Sequence, residues 1–477
     1  MLTFVQRPPA KGARPGPLLT VLLAGQAMVS MDGSIVSVSA QTIRADLHAG
    51  GAAVQLLVSG YLLTTGVLLV TCARLGDVLG HRRTFLLGLV WFTAASLACG
   101  LAPDVPVLVL ARIAQAMGGA LLTPQVFSLI QLGWEGAAER RRAIGLYSMV
   151  LALGVALGQV LGGLVAGADL FGLSWRPVFL INVPVGAALA AVGPRVLPRS
   201  PVLRRPRLDP VGVAVLTTAM TALTMPLIFG PQQHWPVWAW LCLASGGAGL
   251  AGFVRHQRAA AHPLLDLAVL RPAGVKPGLA ACWILMGCYT VFLFVLTLHL
   301  QSALGFSPLR AGLAFLPYAL GFGALSLTWA RYPARLREAL PVVGPLAFAA
   351  GATTLVLVCH DRWHPAVTVP LLFLAGAGHA AGYSPMTARI TALVEPRLAS
   401  AVSALNATGP VLAGVTAVAG LGSVYFTAPS SSAGLLRVIA AVAGLLMAAA
   451  LCAARVAATA PRRRTREATT ARSAAGV

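Results

Sequence analysis

The chain has 477 residues, 57% of them hydrophobic and only 10% charged, with a mean hydropathy of +0.81. Soluble domains carry about 25% charged residues, and one bilayer crossing takes about 20 mostly apolar residues. Stretches of that kind recur along nearly the whole chain, which excludes a soluble enzyme or nucleic-acid-binding protein and describes an all-α, polytopic membrane protein.

In chain order, fourteen spans are predicted at 17–39, 52–72, 83–102, 106–131, 142–165, 177–193, 210–230, 236–254, 277–302, 309–330, 339–358, 365–390, 398–424 and 433–456. A short N-terminus (1–16) without a cleavable-signal pattern precedes them. A basic tail (457–477), rich in Ala and Thr and expected to be disordered, follows them. Two linkers, 194–209 and 255–276, set spans seven and eight apart from two blocks of six. The predicted organisation is one six-helix block over 17–193, linkers and two additional helices over 194–276, and a second six-helix block over 277–456.

A net charge of +22 would point a soluble protein toward nucleic acid. Here its distribution reports topology. The span order puts both termini on one side, and all but six of the 35 lysines and arginines fall on that side. Arg44, Arg176, Arg310, Arg362 and Arg437 fall on the other, and Arg112 lies within a span. Such a bias makes the rich side cytoplasmic, so both termini are expected in the cytoplasm and no nucleic-acid partner is expected. The seven cysteines are scattered, with no CxxC, and read as small apolar residues; no metal site or cofactor is expected. No GxxxxGK[ST] occurs, so any transport would draw on an ion gradient.

In the first span, Asp32 is alone among the 13 acidic residues in lying well inside the membrane. A charged group there costs about 2.5–3.5 kcal/mol on insertion scales, so it needs a cavity or a partner. It reads either as a protonation or cation-recognition group, or as a packing residue bonded to a nearby hydroxyl or amide. Between spans two and three, Arg74-Leu75-Gly76-Asp77-Val78-Leu79-Gly80-His81-Arg82-Arg83 forms a tight charged hairpin. Its glycines permit close approach of helix ends, and Asp77 can accept from an arginine or cap a helix. In span four, Arg112 wants a carboxylate or several carbonyl and amide partners. Asp32 is one candidate and a purely structural role the other; Gln115 lies one turn on. In span five, Gly154, Gly158 and Gly162, with Gly163, make a ridge for close helix packing.

Polar and aromatic residues elsewhere are candidates for a cavity wall: Gln26, Met28, Gln55, Tyr61, Gln115, Tyr289, Phe292, His299, His379 and Asn406. His379 sits in a glycine-rich helix and titrates near neutrality when free. Trp283, Tyr289, Phe292 and Phe294 either line an aromatic cavity suited to flat amphipathic compounds or face lipid.

Several of these segments resemble motifs of the major facilitator superfamily. The hairpin is similar to its signature G-x-L-a-D-r-x-G-r-r/k, keeping Asp77, Gly80 and the pair Arg82-Arg83, with Ala73 for the leading Gly. Met31-Asp32-Gly33-Ser34-Ile35-Val36-Ser37-Val38 resembles L-D-x-T-I-V-N-V-A-L-P, with Ser37 for the Asn and Gln41 for the Pro. Leu108-x-x-x-Arg112-x-x-Gln115-Ala116 resembles l-x-x-x-R-x-x-q-G, and Gly154-x-x-x-Gly158-Gln159-x-x-Gly162-Gly163 resembles the antiporter motif g-x-x-x-G-P-x-x-G-G, with Gln159 for the Pro. Trp175 to Gly186 and Gln301 to Pro317 match further family blocks, both read as structural.

Six plus two plus six is the layout of the fourteen-segment drug:proton antiporters (EmrB- or QacA-like). The resemblance implies two six-helix bundles rocking about a midplane cavity, in a monomer of a bacterial plasma membrane. It implies no enzyme, but export of a small hydrophobic or amphipathic compound, a drug or natural product, in exchange for protons. Asp32 and Arg112 would couple the proton. Arg74, Gly76, Asp77, Gly80, Arg82 and Arg83 would gate the cytoplasmic side, Asp77 holding a helix end of the opposite block. The same fold working as importer or uniporter, and a non-transporting membrane sensor, are the alternatives.

Overall fold

The computed structural model describes residues 15–134, 137–168, 170–198, 209–261, 263–395 and 398–459. Among them are fourteen long helices: α1 (Pro15–Asp46), α2 (Gly51–Leu79), α3 (His81–Gly100), α4 (Val105–Gly133) and α5 (Ala137–Gly167); α6 (Pro177–Val196), α7 (Pro210–Phe229), α8 (Val237–Ala259) and α9 (Val275–Ser302); and α10 (Pro308–Arg331), α11 (Ala334–Cys359), α12 (Pro365–Leu393), α13 (Ala399–Phe426) and α14 (Ser431–Thr459). Thirteen are long and apolar enough to cross a bilayer. The other, α5, has 31 residues and lies among them. Leu110 and Leu327, 67% and 80% exposed, would be costly in water and are at home against lipid.

An even number of crossings returns the chain to the face it started from. That face, holding the start of α1 and the end of α14, is called here the terminal face, and the opposite one the distal face. Local chemistry sets several helix starts. Asp104 caps α4 by accepting from Val107 N at 2.9 Å, Asp209 caps α7 from Gly212 N at 2.8 Å, and Ser307 caps α10 from Arg310 N at 3.3 Å. Helices α6 and α10 are interrupted, at Ile181 and Phe315, shortly before Pro184 and Pro317. Helix α1 runs to Asp46, seven residues past its predicted end, because the chain stays helical beyond its apolar part.

Helices α1–α6 form one bundle and α9–α14 the other, with the α7–α8 hairpin packed on α2 and α13. The segment following α8 carries more structure than a linker would need. Leu264, Leu265 and Val269 are buried beside α2, α7, α9 and α13, because Pro-Leu-Leu-Asp-Leu offers apolar side chains that a free loop would leave in water. Asp209 ties this segment down by accepting from His256 Nε2 at 2.9 Å and Gln257 Nε2 at 2.7 Å, while Gln257 Oε1 accepts from Leu265 N at 2.9 Å. Burial opposes the charge on Asp209, but these hydrogen bonds outweigh it and hold the carboxyl below its ordinary pKa.

Lipid supplies no hydrophobic drive between helices, so close approach does the work. A Cβ at Gly154 would stand 2.5 Å from Ser30 Cβ, one at Gly158 would collide with Ser34 and the Met31 carbonyl, and one at Gly162 would stand 2.5 Å from Ile35 Cγ1. The ridge of α5 therefore lies directly on α1. Gly163 is turned to the other bundle, where a Cβ would meet Leu309 Cα at 2.6 Å.

Replacing Gly158 by Leu should separate α5 from α1 at an overpacking cost of about 1–3 kcal/mol, read as a lower melting temperature in detergent. Gly247→Leu, with nothing within 4 Å of its Cβ position, should melt with the wild type.

Candidate functional site

Asp32 lies near the middle of α1 with 1% of its surface exposed, and Arg112 on α4 has 2%. Their side chains form an ion pair, Arg112 NH1 donating to Asp32 Oδ2 at 2.6 Å. The other carboxylate oxygen accepts from Gln115 Nε2 at 2.8 Å and from Asn182 Nδ2, on α6, at 3.1 Å. Gln115 closes the ring: its Oε1 accepts from Arg112 at 2.6 Å and its Nε2 also reaches Ser96 Oγ, on α3, at 2.6 Å. Asn182 reaches the same hydroxyl at 3.4 Å. The guanidinium lies under the Tyr61 ring of α2, 4.1 Å from its centroid, with Phe179 of α6 at 5.5 Å. Five helices thus converge on one carboxylate.

The local sequence explains the convergence. Arg112 and Gln115 stand at i and i+3 on α4, which turns both to the same side. Ala116, Gly118 and Gly119 leave room there: a Cβ at Gly118 would stand 2.6 Å from the Phe92 nitrogen, so α3 and α4 touch backbone to backbone and bring Ser96 into reach. The break at Ile181 leaves Asn182 at the start of a new helical segment, aimed at Asp32. Two amide donors and a cation replace the hydration that a buried carboxylate loses. Ser96 was not singled out by sequence, and Asn182 was read only as part of a structural block: neither carries a signal toward Asp32 until the fold brings them together.

The hairpin at 74–83 lies on the terminal face. Arg74 donates to the carbonyls of Pro263 and Leu264, the latter at 3.1 Å, and so holds the segment between α8 and α9. Arg82 donates to the Pro194 carbonyl at the end of α6, and Arg83 is exposed. Gly76 brings α2 against α4: a Cβ there would collide with Gln125 and stand 2.6 Å from His81 Nδ1. Gly80 turns the chain at φ +90, a conformation L side chains rarely adopt. Asp77, expected to reach a helix end of the opposite block, faces His81 at 3.4 Å within its own hairpin and is half exposed. Gln125, a polar span residue expected to line a cavity, instead pairs with His81 of the hairpin: His81 Nδ1 and Gln125 Oε1 are 2.8 Å apart, and Gln125 Nε2 donates to the Cys72 carbonyl at 2.8 Å.

The cavity candidates separate into groups. Gln115 and Tyr61 belong to the Asp32 network. Met28 is buried in the apolar core of the first bundle, and Gln26 donates to Ser30 at 3.0 Å on the same helix. Gln55 lies against Gly422 of α13, and Asn406 is half-buried on that helix. His299 stands at the distal end of α9, 3.1 Å from Ser431 Oγ and 2.7 Å from the His360 carbonyl, away from the others. Phe292 and Phe294 are buried in the core. Tyr289 and His379, with rings 4.9 Å apart, meet in the second bundle.

Comparison with known proteins agrees with this architecture. The sequence matches the family profile of the Major Facilitator Superfamily over residues 22–414. It is 34% identical to a probable actinorhodin transporter of Streptomyces coelicolor over 88% of this chain and 74% of that one. It is likewise 34% identical to the drug efflux pump JefA of Mycobacterium tuberculosis, over 85% of this chain and 80% of that one. Among solved structures, an inward-facing, occupied bacterial homologue of the human lysosomal transporter Spinster superposes with a TM-score of 0.67 at 17% identity, covering 94% of this chain and 98% of that one. With its two six-helix bundles and the additional α7–α8 hairpin, the chain is a multi-pass membrane protein that belongs to the Major Facilitator Superfamily.

Proposed function

We propose that this protein exports a small hydrophobic or amphipathic compound across the bacterial plasma membrane in exchange for protons. The observation that carries the reading is the Asp32 carboxylate, held within α1 by Arg112, Gln115 and Asn182. A buried ion pair is stable only while both charges are present. A proton arriving on Asp32 removes one of them and frees Arg112 from its carboxylate. The guanidinium keeps Gln115 Oε1 and the Tyr61 face, so it stays inside the bundle with its contacts rearranged. Protonation thereby becomes a change in how α1, α4 and α6 are tied together. The name of the drug efflux pump that this chain resembles supports the direction of transport.

The arginine-rich terminal face is the cytoplasmic one in this reading. Ser96, Arg112 and Asn182 lie within about two turns of the distal ends of their helices, which favours proton entry from outside. Close contacts between the bundles support closure toward the outside in this state. Gly163 of α5 lies on Leu309 of α10, Gln301 Nε2 of α9 donates to the Val38 carbonyl of α1 at 2.8 Å, and Phe426 of α13 stands over the Gly51 position of α2. The bundles would rock about these helices, with the Arg74 hairpin holding the cytoplasmic side together. A single chain contains both bundles and the whole path, so it works as a monomer.

In proteoliposomes, an imposed pH gradient should drive uptake of permanently charged dyes such as ethidium and tetraphenylphosphonium, which the gradient cannot move without the protein. Asp32→Asn should abolish that uptake while still purifying as a folded protein; undiminished uptake in this variant rules out the coupling role.

The ion pair itself is read by stability. Asp32→Asn and Arg112→Gln each strand a partner and should cost about 3–5 kcal/mol, whereas the double variant should cost less than their sum by about 1–3 kcal/mol. Additive losses in thermal denaturation would mean that the two side chains do not depend on one another.

A further inference from the structure

In the second bundle, His379 of α12 is 2% exposed and ringed by aromatic side chains from four helices. Phe322 of α10 stands 4.8 Å from its ring, Tyr289 of α9 4.9 Å, and Phe348 of α11 5.9 Å. Tyr318 and Tyr383 each lie at 6.1 Å. Glycines set the cage: a Cβ at Gly376 would collide with the Tyr318 backbone, and one at Gly378 would stand 2.5 Å from the Phe348 nitrogen. Tyr318 and Phe348 are buried, whereas Tyr289, Phe322 and Tyr383 are only half-buried.

The hydrogen bonding of His379 is unequal at its two nitrogens. Nδ1 is 2.8 Å from the Tyr318 hydroxyl, a strong partner. Nε2 is 3.3 Å from Met286 Sδ, a weak acceptor on a half-buried, flexible side chain. None of the described contacts of the ring is a carboxylate, so nothing there favours the imidazolium. In the neutral ring, a lone pair on Nε2 would face the sulfur lone pairs, so the proton belongs on Nε2 and the Tyr318 hydroxyl donates to Nδ1. The result is a good donor in an apolar cage, met only by a thioether. A buried N–H without a proper acceptor forgoes a favourable interaction that a ligand oxygen would restore.

We propose that this cage binds a planar, polycyclic aromatic compound carrying a ring carbonyl, such as a quinone. The rings of Tyr289 and Phe322 stack on its faces, Met286 swings aside, and the carbonyl oxygen accepts from His379 Nε2. The inference deepens the export reading and rests on it, by giving the exported compound a class and a place. An aromatic face is recognised by stacking, and the carbonyl by the single N–H. A hydrocarbon of the same shape meets the stacking alone and leaves the N–H unsatisfied.

The test is equilibrium binding to the full-length protein in nanodiscs, without any gradient, using a neutral hydroxymethyl-anthraquinone and the matching hydroxymethyl-anthracene. The pair shares shape and differs in the two ring carbonyls. Wild type should bind the quinone about tenfold tighter, the factor that about 1.4 kcal/mol represents. His379→Phe keeps an aromatic ring and should bind both compounds alike, and Phe322→Ala should weaken both. Met286→Ala, which uncovers the donor, should bind the quinone at least as tightly as wild type. A wild-type preference that persists in His379→Phe overturns the proposal, as does the absence of any preference in wild type. Binding is read on the wild-type Asp32 background without a gradient, and Asp32→Asn enters only the flux assay. Failure of the cage is therefore distinct from failure of proton coupling, which that variant tests by flux.

Discussion

A carboxylate in the apolar interior of a membrane protein persists only if the protein replaces the water it has lost. For Asp32 the replacement comes from Arg112, Gln115 and Asn182, and through them from Ser96 and the face of Tyr61. These groups sit on α1, α2, α3, α4 and α6, so the first bundle cannot rearrange around this point without disturbing the pair. Leaving one partner alone costs several kcal/mol, comparable to the net stability of a domain. The pair is therefore a poor source of stability and, in the proposed exchange, the point at which a proton would act. A single ionisable group bears on five helices.

What lets those helices converge is the near absence of side chains where they cross. Gly118 sits on the backbone of Phe92, and Gly158 and Gly162 sit on α1. In water, apolar side chains would drive such contacts; in lipid they would gain nothing by leaving the acyl chains. Small residues bring backbones close enough for dispersion and short polar bonds to hold them. The second bundle uses the same device around His379, with Gly376 and Gly378. Contacts of this kind tie the helices within each bundle backbone to backbone.

The spans were legible because their signal is a local average: long apolar stretches, and arginines counted on one side. The lone charges were legible for a related reason, since Asp32 and Arg112 stand out against apolar neighbours without any knowledge of the fold. Gln115, one turn from Arg112, was legible too, but Asn182 and Ser96 were not legible as partners. Asn182 lies 150 residues from Asp32 in sequence, and Ser96 lies 86 residues from Asn182; nothing local marks either as polar by necessity. The Arg74 hairpin shows the same limit. Its residues were conspicuous, but their contacts with Pro263, Pro194 and Gln125 depend on which segment lies alongside, and a segment taken for a linker proved to be the surface that Arg74 holds. Aromatic residues on one helix also proved divisible, since Tyr289 faces His379 while Phe292 and Phe294 are buried in the core.

The carboxylate and the aromatic cage lie in different bundles, one on α1 and the other on α12, so they cannot compete for a shared atom. Any exchange between proton and ligand must pass through the surfaces joining the bundles, where α5 meets α10 and α2 meets α13. The two ends of that route are mechanically connected. Tyr318 of the cage stands on α10, the helix whose first turn packs against Gly163, and the α5 glycine ridge lies on α1 beside Ser30 and Ser34, one turn or less from Asp32. In the proposed exchange, a proton that loosened α1 from α4 would act on the helix supporting α5, and a ligand stacked on Phe322 would act on α10. Each event would bias the same α5–α10 contact from opposite sides. Coupling of this kind is reciprocal by thermodynamic necessity: whatever protonation does to ligand affinity, ligand must do to proton affinity. It requires no direct contact between the two, only one contact surface with two arrangements that both sites can shift.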